Sequence, residues 1–237
     1  MNLLGFDTST AATAVCVERA DGEVFELVPE PADLQQRPAH GAELLPGMAR
    51  LLDDAGLGWG DIDAVALGVG PGTFTGLRIG VATARSLALA RGLELRPVSS
   101  LAALAEGIAG PLRLPVIDAR RGEVFAALFE DGSERLAAAA WPPERLVAAL
   151  ADGVLTPRAA GDGALHFREA FEAAGVTVEP EGSPAHVVRG LHVCRLARRS
   201  PPRPPQAVLP DYLRLPDVKC SPTRSSTVLS VRSTEPG

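Results

Sequence analysis

Alternating apolar and polar residues open the chain and predict short β-strands. The runs LLGFD (3–7), TAVCVE (13–18) and EVFELV (23–28) each suit a strand, and Asp21-Gly22 marks a tight turn between the last two. Strands joined by such short connections pair in antiparallel fashion. The sequence therefore predicts a three-stranded antiparallel meander at the N-terminus.

A helical pattern follows over residues 40–56. Apolar side chains recur there at helical spacing, at Leu44, Leu45, Met48, Leu51, Leu52 and Ala55. Gly56 suits the end of this helix, whereas Pro46 predicts either a kink or a later start. The next run, AVALGV (64–69), is apolar throughout, which is typical of a strand buried on both faces.

The stretch GPGTFTGLRIG (70–80) leads from that strand into a helix predicted over residues 76–91. Small residues recur at every fourth position of this helix: Gly76, Gly80, Ala84 and Ala88. Such a stripe lets another helix approach closely, and an apolar character on nearly every side predicts burial on more than one face. Arg78 lies in the first turn of the helix, where its positive charge faces the positive end of the helix dipole at a cost of about 0.3–1 kcal/mol. We therefore expect an acidic partner for Arg78. Two alternatives remain for this helix. Either it forms a surface for a partner, or its own chain covers it completely and Arg78 lies in solvent.

Residues 114–132 repeat a pattern from the start of the chain. LPVIDARRGEVFAALFEDG resembles LLGFDTSTAATAVCVERADG (3–22), because in each an apolar strand ends in aspartate and is followed by a tight turn and an alternating strand. The two aspartates are Asp7 and Asp118. Either the chain has two lobes that each begin with a hairpin, or two hairpins are similar by chance. The remaining predicted elements are a strand over 95–98 and helices over 100–108, 143–150, 164–175 and 185–199.

Composition sets the broad class of protein. The chain has 237 residues, 46% of them hydrophobic, which is enough for one large domain or two smaller lobes. No run approaches the ~18 uninterrupted apolar residues that span a bilayer, and the first residues lack a basic leader. We therefore expect a cytoplasmic protein with no membrane partner. Lys219 is the single lysine and lies outside any Gly-Lys-Ser/Thr motif, which excludes a Walker A site.

Charge is distributed unevenly along the chain. The net charge is −6, yet residues 185–237 carry nine basic and three acidic residues, a balance of +6 (9 − 3). Phosphate contacts dominate nucleic-acid binding, so only this C-terminal part could attract RNA. A solvated helix face is the simpler explanation for it.

The turn Asp7-Thr8-Ser9-Thr10 is the main candidate for chemistry. A carboxylate at a strand end, beside hydroxyls and turn amides, suits a Mg-nucleotide, but the same residue types also form turns that stabilise their own backbone. Gly70, Gly72 and Gly76, followed by Glu94, make a poor dinucleotide-binding fingerprint. The histidines and cysteines fall in no metal-binding motif.

These residues together resemble the TsaB (YeaZ) family, the partner subunit of TsaD in the synthesis of threonylcarbamoyladenosine next to the tRNA anticodon. The resemblance is carried by LLGFDTST (3–10), HGAELLP (40–46), GVGPGTFTGLRIG (68–80), VIDARRGEVF (116–125) and LPDYLR (209–214). It implies an α/β, two-lobed actin-like or Hsp70-like ATPase fold (RNase H-like), with a mixed five-stranded sheet in the N-terminal lobe. That lobe would comprise residues 1–102, a smaller second lobe residues 103–219, and a disordered tail residues 220–237.

The resemblance also implies the function. The chain would be a non-catalytic subunit that activates TsaD, with TsaE docking on the heterodimer, tRNA contacted only indirectly, and a homodimer through the same helices as a second assembly. The partner helices would be 40–56 and 76–91, with interface residues Leu44, Leu45, Met48, Leu52, Phe74, Thr75, Gly76, Arg78, Gly80 and Ala84. No cofactor would be required, and ATP or ADP with Mg at the complex interface is a candidate ligand.

Two departures from the family pattern qualify the nucleotide site. Its candidate residues are Asp7, Thr8, Ser9, Thr10 and Asp118. Thr73 replaces the usual serine after the second glycine, and Ala119-Arg120-Arg121 replaces the hydroxyls of the first turn, so a complete two-lobe clamp is not expected. A free-standing weak ATPase and, less favoured, a dinucleotide-dependent oxidoreductase are the rival hypotheses.

Overall fold

The computed structural model describes residues 1–150 and 156–214, which form two five-stranded sheets with helices packed on and between them. The first sheet contains Leu3–Asp7 (β1), Ala14–Glu18 (β2), Val24–Leu27 (β3), Ala64–Gly68 (β4) and Glu94–Val98 (β5). The second contains Leu112–Arg120 (β6), Glu123–Glu130 (β7), Ser133–Trp141 (β8), Arg158–Ala160 (β9) and Thr177–Val178 (β10). The α-helices are His40–Asp54 (α1), Phe74–Arg91 (α2), Ser100–Ala105 (α3), Pro143–Leu150 (α4), Asp162–His166 (α5), Arg168–Ala173 (α6) and Gly190–Ala197 (α7).

The two sheets have the same topology. In the first, β3, β2 and β1 form an antiparallel meander, and β4 and β5 add to β1 in parallel. In the second, β8, β7 and β6 form the meander, and β9 and β10 add to β6 in parallel. The two-lobed α/β fold with a mixed five-stranded sheet is therefore confirmed. The internal repeat extends beyond the hairpins to all five strands, so the second lobe has a complete sheet of its own.

Helix bounds depart from the predicted ones at several points. Helix α1 begins at His40 and continues through Pro46, so the later start that the proline allowed is wrong. Helix α2 begins two residues early, at Phe74, and ends at Arg91 because Gly92 adopts a left-handed conformation (φ 67°) that suits glycine. The predicted helix over 164–175 is interrupted at Phe167, whose backbone is not helical.

The C-terminal helical prediction needs a similar correction. Within residues 185–199 a 3₁₀ turn at Pro184–His186 comes first, and α7 begins only at Gly190. Helix α3 ends at Ala105, three residues before the predicted end. None of the helices in the described ranges is long and apolar enough to cross a membrane.

Helix α7 also corrects the predicted lobe boundary. Although its sequence position assigned it to the second lobe (103–219), it packs on β1 and β2 of the first sheet, where a Cβ added to Gly5 would overlap the Cys194 sulfur. Val208 then lies in the core formed by the first sheet with α1 and α2. Residues 190–208 therefore belong with the first sheet. The predicted disordered tail, residues 220–237, lies outside the described residues.

Candidate functional site

The small-residue stripe of α2 faces the chain's own first hairpin. A Cβ at Gly80 would lie 2.5 Å from Thr8 Oγ1, and a Cβ at Gly76 would overlap the Thr8 carbonyl oxygen. The stripe therefore permits close packing inside the chain, so the expectation that it receives a helix of another polypeptide is wrong for these positions. The expected interface residues that the chain itself buries are Leu44, Met48, Leu52, Gly76, Gly80 and Ala84.

The opposite sides of α1 and α2 remain exposed. Four expected interface residues lie on this exposed surface: Leu45 (50% exposed), Phe74 (39%), Thr75 and Arg78. The exposed residues of the two helices include charged ones, and we call six of the uncharged ones the α1–α2 face: Ala42, Leu45, Ala49, Thr75, Ala82 and Ser86. Between the helix N-termini lies a cavity of about 530 Å³, which Ala42, Thr75 and Ile79 line. Small side chains at these positions leave room for a helix to pack against the face.

Arg78 is held by aromatic side chains. Its guanidinium carbon lies 3.8 Å from the centroid of the Phe74 ring, and its Nε donates to the Tyr212 hydroxyl at 3.3 Å. The Phe74 and Tyr212 rings are 5.3 Å apart. A cation over an aromatic face is stabilised by the ring quadrupole, but within residues 1–150 and 156–214 Arg78 has no carboxylate partner. The expected acidic partner is therefore not supplied by the described part of this chain.

The Asp7–Thr10 turn is closed by contacts within the chain. Asp7 is buried, and its Oδ1 accepts hydrogen bonds from Ser9 N (2.7 Å) and Ser9 Oγ (2.6 Å). Its Oδ2 accepts from Ser100 Oγ at 2.6 Å. Thr8 Oγ1 donates to the Gly76 carbonyl oxygen at 2.8 Å, and Thr73 N donates to the Ser9 carbonyl oxygen at 2.7 Å. These contacts match the alternative in which the turn stabilises its own backbone.

Ser100 is a residue whose role sequence reasoning missed. The side chain that caps α3 is that of Ser99, which accepts from Ala102 N at 3.3 Å. Ser100 instead joins the Asp7 carboxylate to Gly70 N, which donates to Ser100 Oγ at 3.2 Å. The sequence gives no signal for this contact, because it depends on β1 and β4 lying side by side.

Asp118 lies in a more open environment than Asp7. Its Oδ1 accepts from Arg120 N at 2.7 Å, and its Oδ2 accepts from Arg120 Nη1 at 3.0 Å and lies 3.4 Å from His166 Nδ1. It lines two cavities, of about 690 and 310 Å³. Burial raises the pKa of Asp162, which lines the larger cavity.

Asp118 lines its two cavities without the other candidate nucleotide residues. Neither cavity beside Asp118 includes any residue of the Asp7–Thr10 turn among its lining residues. Across the described ranges, moreover, no group of three or more His, Cys, Asp or Glu side chains is arranged to hold a metal ion.

Comparison with known proteins identifies the group to which this fold and site belong. The family model described as TsaD, tRNA N6-adenosine threonylcarbamoyltransferase, matches residues 28–177. An uncharacterised protein of Mycobacterium tuberculosis is 36% identical over 219 residues, which are 92% of this chain and 93% of that protein. YeaZ from Pseudomonas aeruginosa, a solved structure, is 30% identical, with a TM-score of 0.74 over 89% of this chain and 99% of that one.

One relative has a name that states its role. The tRNA threonylcarbamoyladenosine biosynthesis protein TsaB of Escherichia coli is 39% identical over 137 residues, which are 55% of this chain and 55% of that protein. The match thus spans about half the length of this TsaB relative. Taken with the full-length likeness to YeaZ, these similarities show that the chain belongs to the TsaB (YeaZ) family.

Proposed function

We propose that this chain is a non-catalytic subunit that pairs with a TsaD protein through α1 and α2. In the pair, TsaD transfers a threonylcarbamoyl group to the adenosine next to the tRNA anticodon, and this chain shapes the TsaD active site. The observation that carries the proposal is the exposed, small-residue α1–α2 face on a chain of the TsaB family. The buried stripe beneath it supports the face indirectly, because it holds α2 tightly on the first hairpin.

The environment of Asp7 supports a non-catalytic role. Both carboxylate oxygens already accept hydrogen bonds from Ser9 and Ser100, and the turn is buried by the loop that precedes α2. The proposal therefore gives the chain no required cofactor and places any ATP or ADP with Mg at the interface with TsaD. It also includes TsaE as a protein that docks on the pair, a cytoplasmic location, indirect contact with tRNA, and a homodimer as the competing assembly of the chain alone.

One observation favours a weak free-standing ATPase as a second candidate function. The cavity of about 690 Å³ beside Asp118 also contains Asp162, Arg120 and Arg168, so it could accommodate a charged ligand. ATP turnover by the isolated chain that is lost in Asp118→Asn would support this function. Absence of turnover in both proteins would leave the scaffold role as the better one.

The dinucleotide-dependent alternative gains no support from the glycine loop. A Cβ at Gly72 would overlap the Ser9 carbonyl oxygen, and one at Gly70 would lie 2.9 Å from the Asp211 carbonyl oxygen. The close approach that these glycines permit is used by the chain's own backbone, whereas a dinucleotide fingerprint needs that space for a pyrophosphate.

A binding experiment with the TsaD protein of the same organism tests the proposal. Leu45→Arg places a charge on the α1–α2 face, and we expect it to reduce association with TsaD at least about tenfold, because truncation or charging of a central apolar contact costs 2 kcal/mol or more. Val24→Arg is the matched control, since Val24 is also exposed (39%) but belongs to β3 and to neither helix. Equal binding by the wild type and Leu45→Arg would contradict the proposed interface.

Gly80→Leu is not a suitable interface variant. A side chain at this position would collide with Thr8 inside the chain before it reached any partner. Loss of binding in that variant would therefore report loss of folding.

A further inference from the structure

A groove runs along α2 on the side of the C-terminal segment. Its volume is about 480 Å³, and its lining residues are Arg78, Val81, Ala82, Arg85, Ser86, Leu89, Pro210 and Tyr212. Leu89 is 71% exposed at one end, and Leu209 is 63% exposed on the adjoining segment. The groove therefore combines large exposed apolar side chains with two arginines.

Both charged residues that line the groove are arginines, Arg78 and Arg85, although the exposed Asp211 lies between the lining residues Pro210 and Tyr212. Helix α2 contains Arg78, Arg85 and Arg91 and no acidic residue, although the whole chain has a net charge of −6. Neither Arg78 nor Arg85 forms an ion pair with a carboxylate in the described part of the chain. Complementary charge across an interface gives a partner its orientation and specificity. We therefore expect a partner that binds this groove to carry carboxylates.

The groove is also preformed. Asp211 N donates to the Val69 carbonyl oxygen at 2.7 Å, which fixes the segment to the first sheet. Arg214 Nη1 donates to the Ala119 carbonyl oxygen at 3.3 Å and pairs with Glu123, which fixes it to the second sheet. Tyr212, between these two anchors, accepts the hydrogen bond from Arg78. Because one side of the groove is held at both ends, binding would not require the segment to become ordered.

We infer that this groove docks an acidic, partly apolar segment of the TsaD partner. Carboxylates of that segment pair with Arg78 and Arg85, and an apolar side chain packs on Leu89 and Pro210. The inference rests on the proposed function, and it adds to the α1–α2 face a neighbouring groove, which shares Ala82 and Ser86 with that face. An RNA backbone is the less favoured occupant, because the apolar lining contributes nothing to phosphate binding and the chain as a whole repels polyanions.

Charge reversal of Arg85 tests the inference. We expect Arg85→Glu to weaken binding of the purified TsaD protein about tenfold or more at low salt, with a smaller difference at high salt because ions screen exposed charges. Arg85→Lys keeps the charge and should bind within about threefold of the wild type. Arg145→Glu is the matched control, because Arg145 is an exposed arginine on α4 in the second lobe. Circular dichroism and thermal melting establish that each variant is folded.

The outcomes separate this inference from the proposed function. If the wild type binds TsaD and Arg85→Glu binds equally well, the groove inference is overturned while the proposed function stands. If the wild type does not bind TsaD, both the groove inference and the proposed function are overturned. A parallel titration with fluorescent tRNA covers the other occupant: a loss of tRNA binding by Arg85→Glu, with TsaD binding unchanged, would overturn the acidic-segment inference in favour of RNA.

Discussion

At the scale of single residues, glycines decide how closely the first hairpin and α2 can pack. A Cβ at Gly68 would overlap the Asp7 carboxylate, and a Cβ at Gly76 would overlap the Thr8 carbonyl oxygen. The sequence correctly indicated a close approach in this stretch. It could not indicate which backbone approaches, because a stripe of small residues suits a helix, a turn or a ligand equally well.

Gly80→Ala should therefore destabilise the chain. The added methyl group would lie 2.5 Å from Thr8 Oγ1, which already donates to the Gly76 carbonyl oxygen, so either the helix or the turn must shift. Overpacking of this kind costs about 1–3 kcal/mol. Gly41→Ala is the control, because Gly41 is exposed on α1 with nothing within 4 Å of an added Cβ. Urea unfolding measures both, and equal free energies of unfolding for the two variants would contradict the packing described.

At the scale of elements, the sequence pattern predicted the strands with alternating or continuous apolar runs and missed an alanine-rich strand and two very short ones. Strands β1, β2, β3 and β4 match runs of strand-like sequence. Strand β8 was missed because its sequence, SERLAAAAW, is rich in alanine, which favours helices when neighbours do not decide. In the folded chain, antiparallel pairing with β7 makes this segment a strand. Strands β9 and β10 have three and two residues, too few to show a period.

Helix α7 brings a buried imidazole against α3, which predicts a pH dependence of stability. His192 Nδ1 donates to the Ala103 carbonyl oxygen at 3.1 Å. Burial, and next the charge of Arg189, lower the pKa of His192 below its ordinary value, and burial likewise lowers the pKa of His40. The folded state thus binds fewer protons than the unfolded state, so stability is complete above about pH 6.5 and decreases as the pH falls through that value.

His192→Gln keeps a hydrogen-bond donor but removes the titrating ring. We expect the variant to lose less free energy of unfolding than the wild type between about pH 7.5 and about pH 5.5. Urea unfolding at the two pH values measures the difference. An equal loss in both proteins would show that His192 does not contribute to the pH dependence.

At the scale of the whole molecule, the two sheets share one core. Helices α3 and α7 lie between them, and a single cluster joins Ala66 of β4 and Leu104 of α3 to Ile117 of β6 and Val193 of α7. The sequence predicted two lobes but could not show this shared core, because it joins residues more than a hundred positions apart. The assignment of α7 to the second lobe failed for the same reason.

A shared core predicts that the two lobes unfold together. Trp59 packs on the core of the first sheet with α1 and α2, and Trp141 packs on the outer core of the second sheet, so single-tryptophan variants (Trp59→Phe or Trp141→Phe) report on each lobe separately. Leu104 is fully buried between the sheets, and its replacement by alanine should cost about 2–5 kcal/mol. We expect Leu104→Ala to lower the urea midpoint of both tryptophan signals by the same amount, with coincident transitions before and after. A shift of the Trp141 signal alone would mean that the lobes unfold independently and that α3 stabilises only the second.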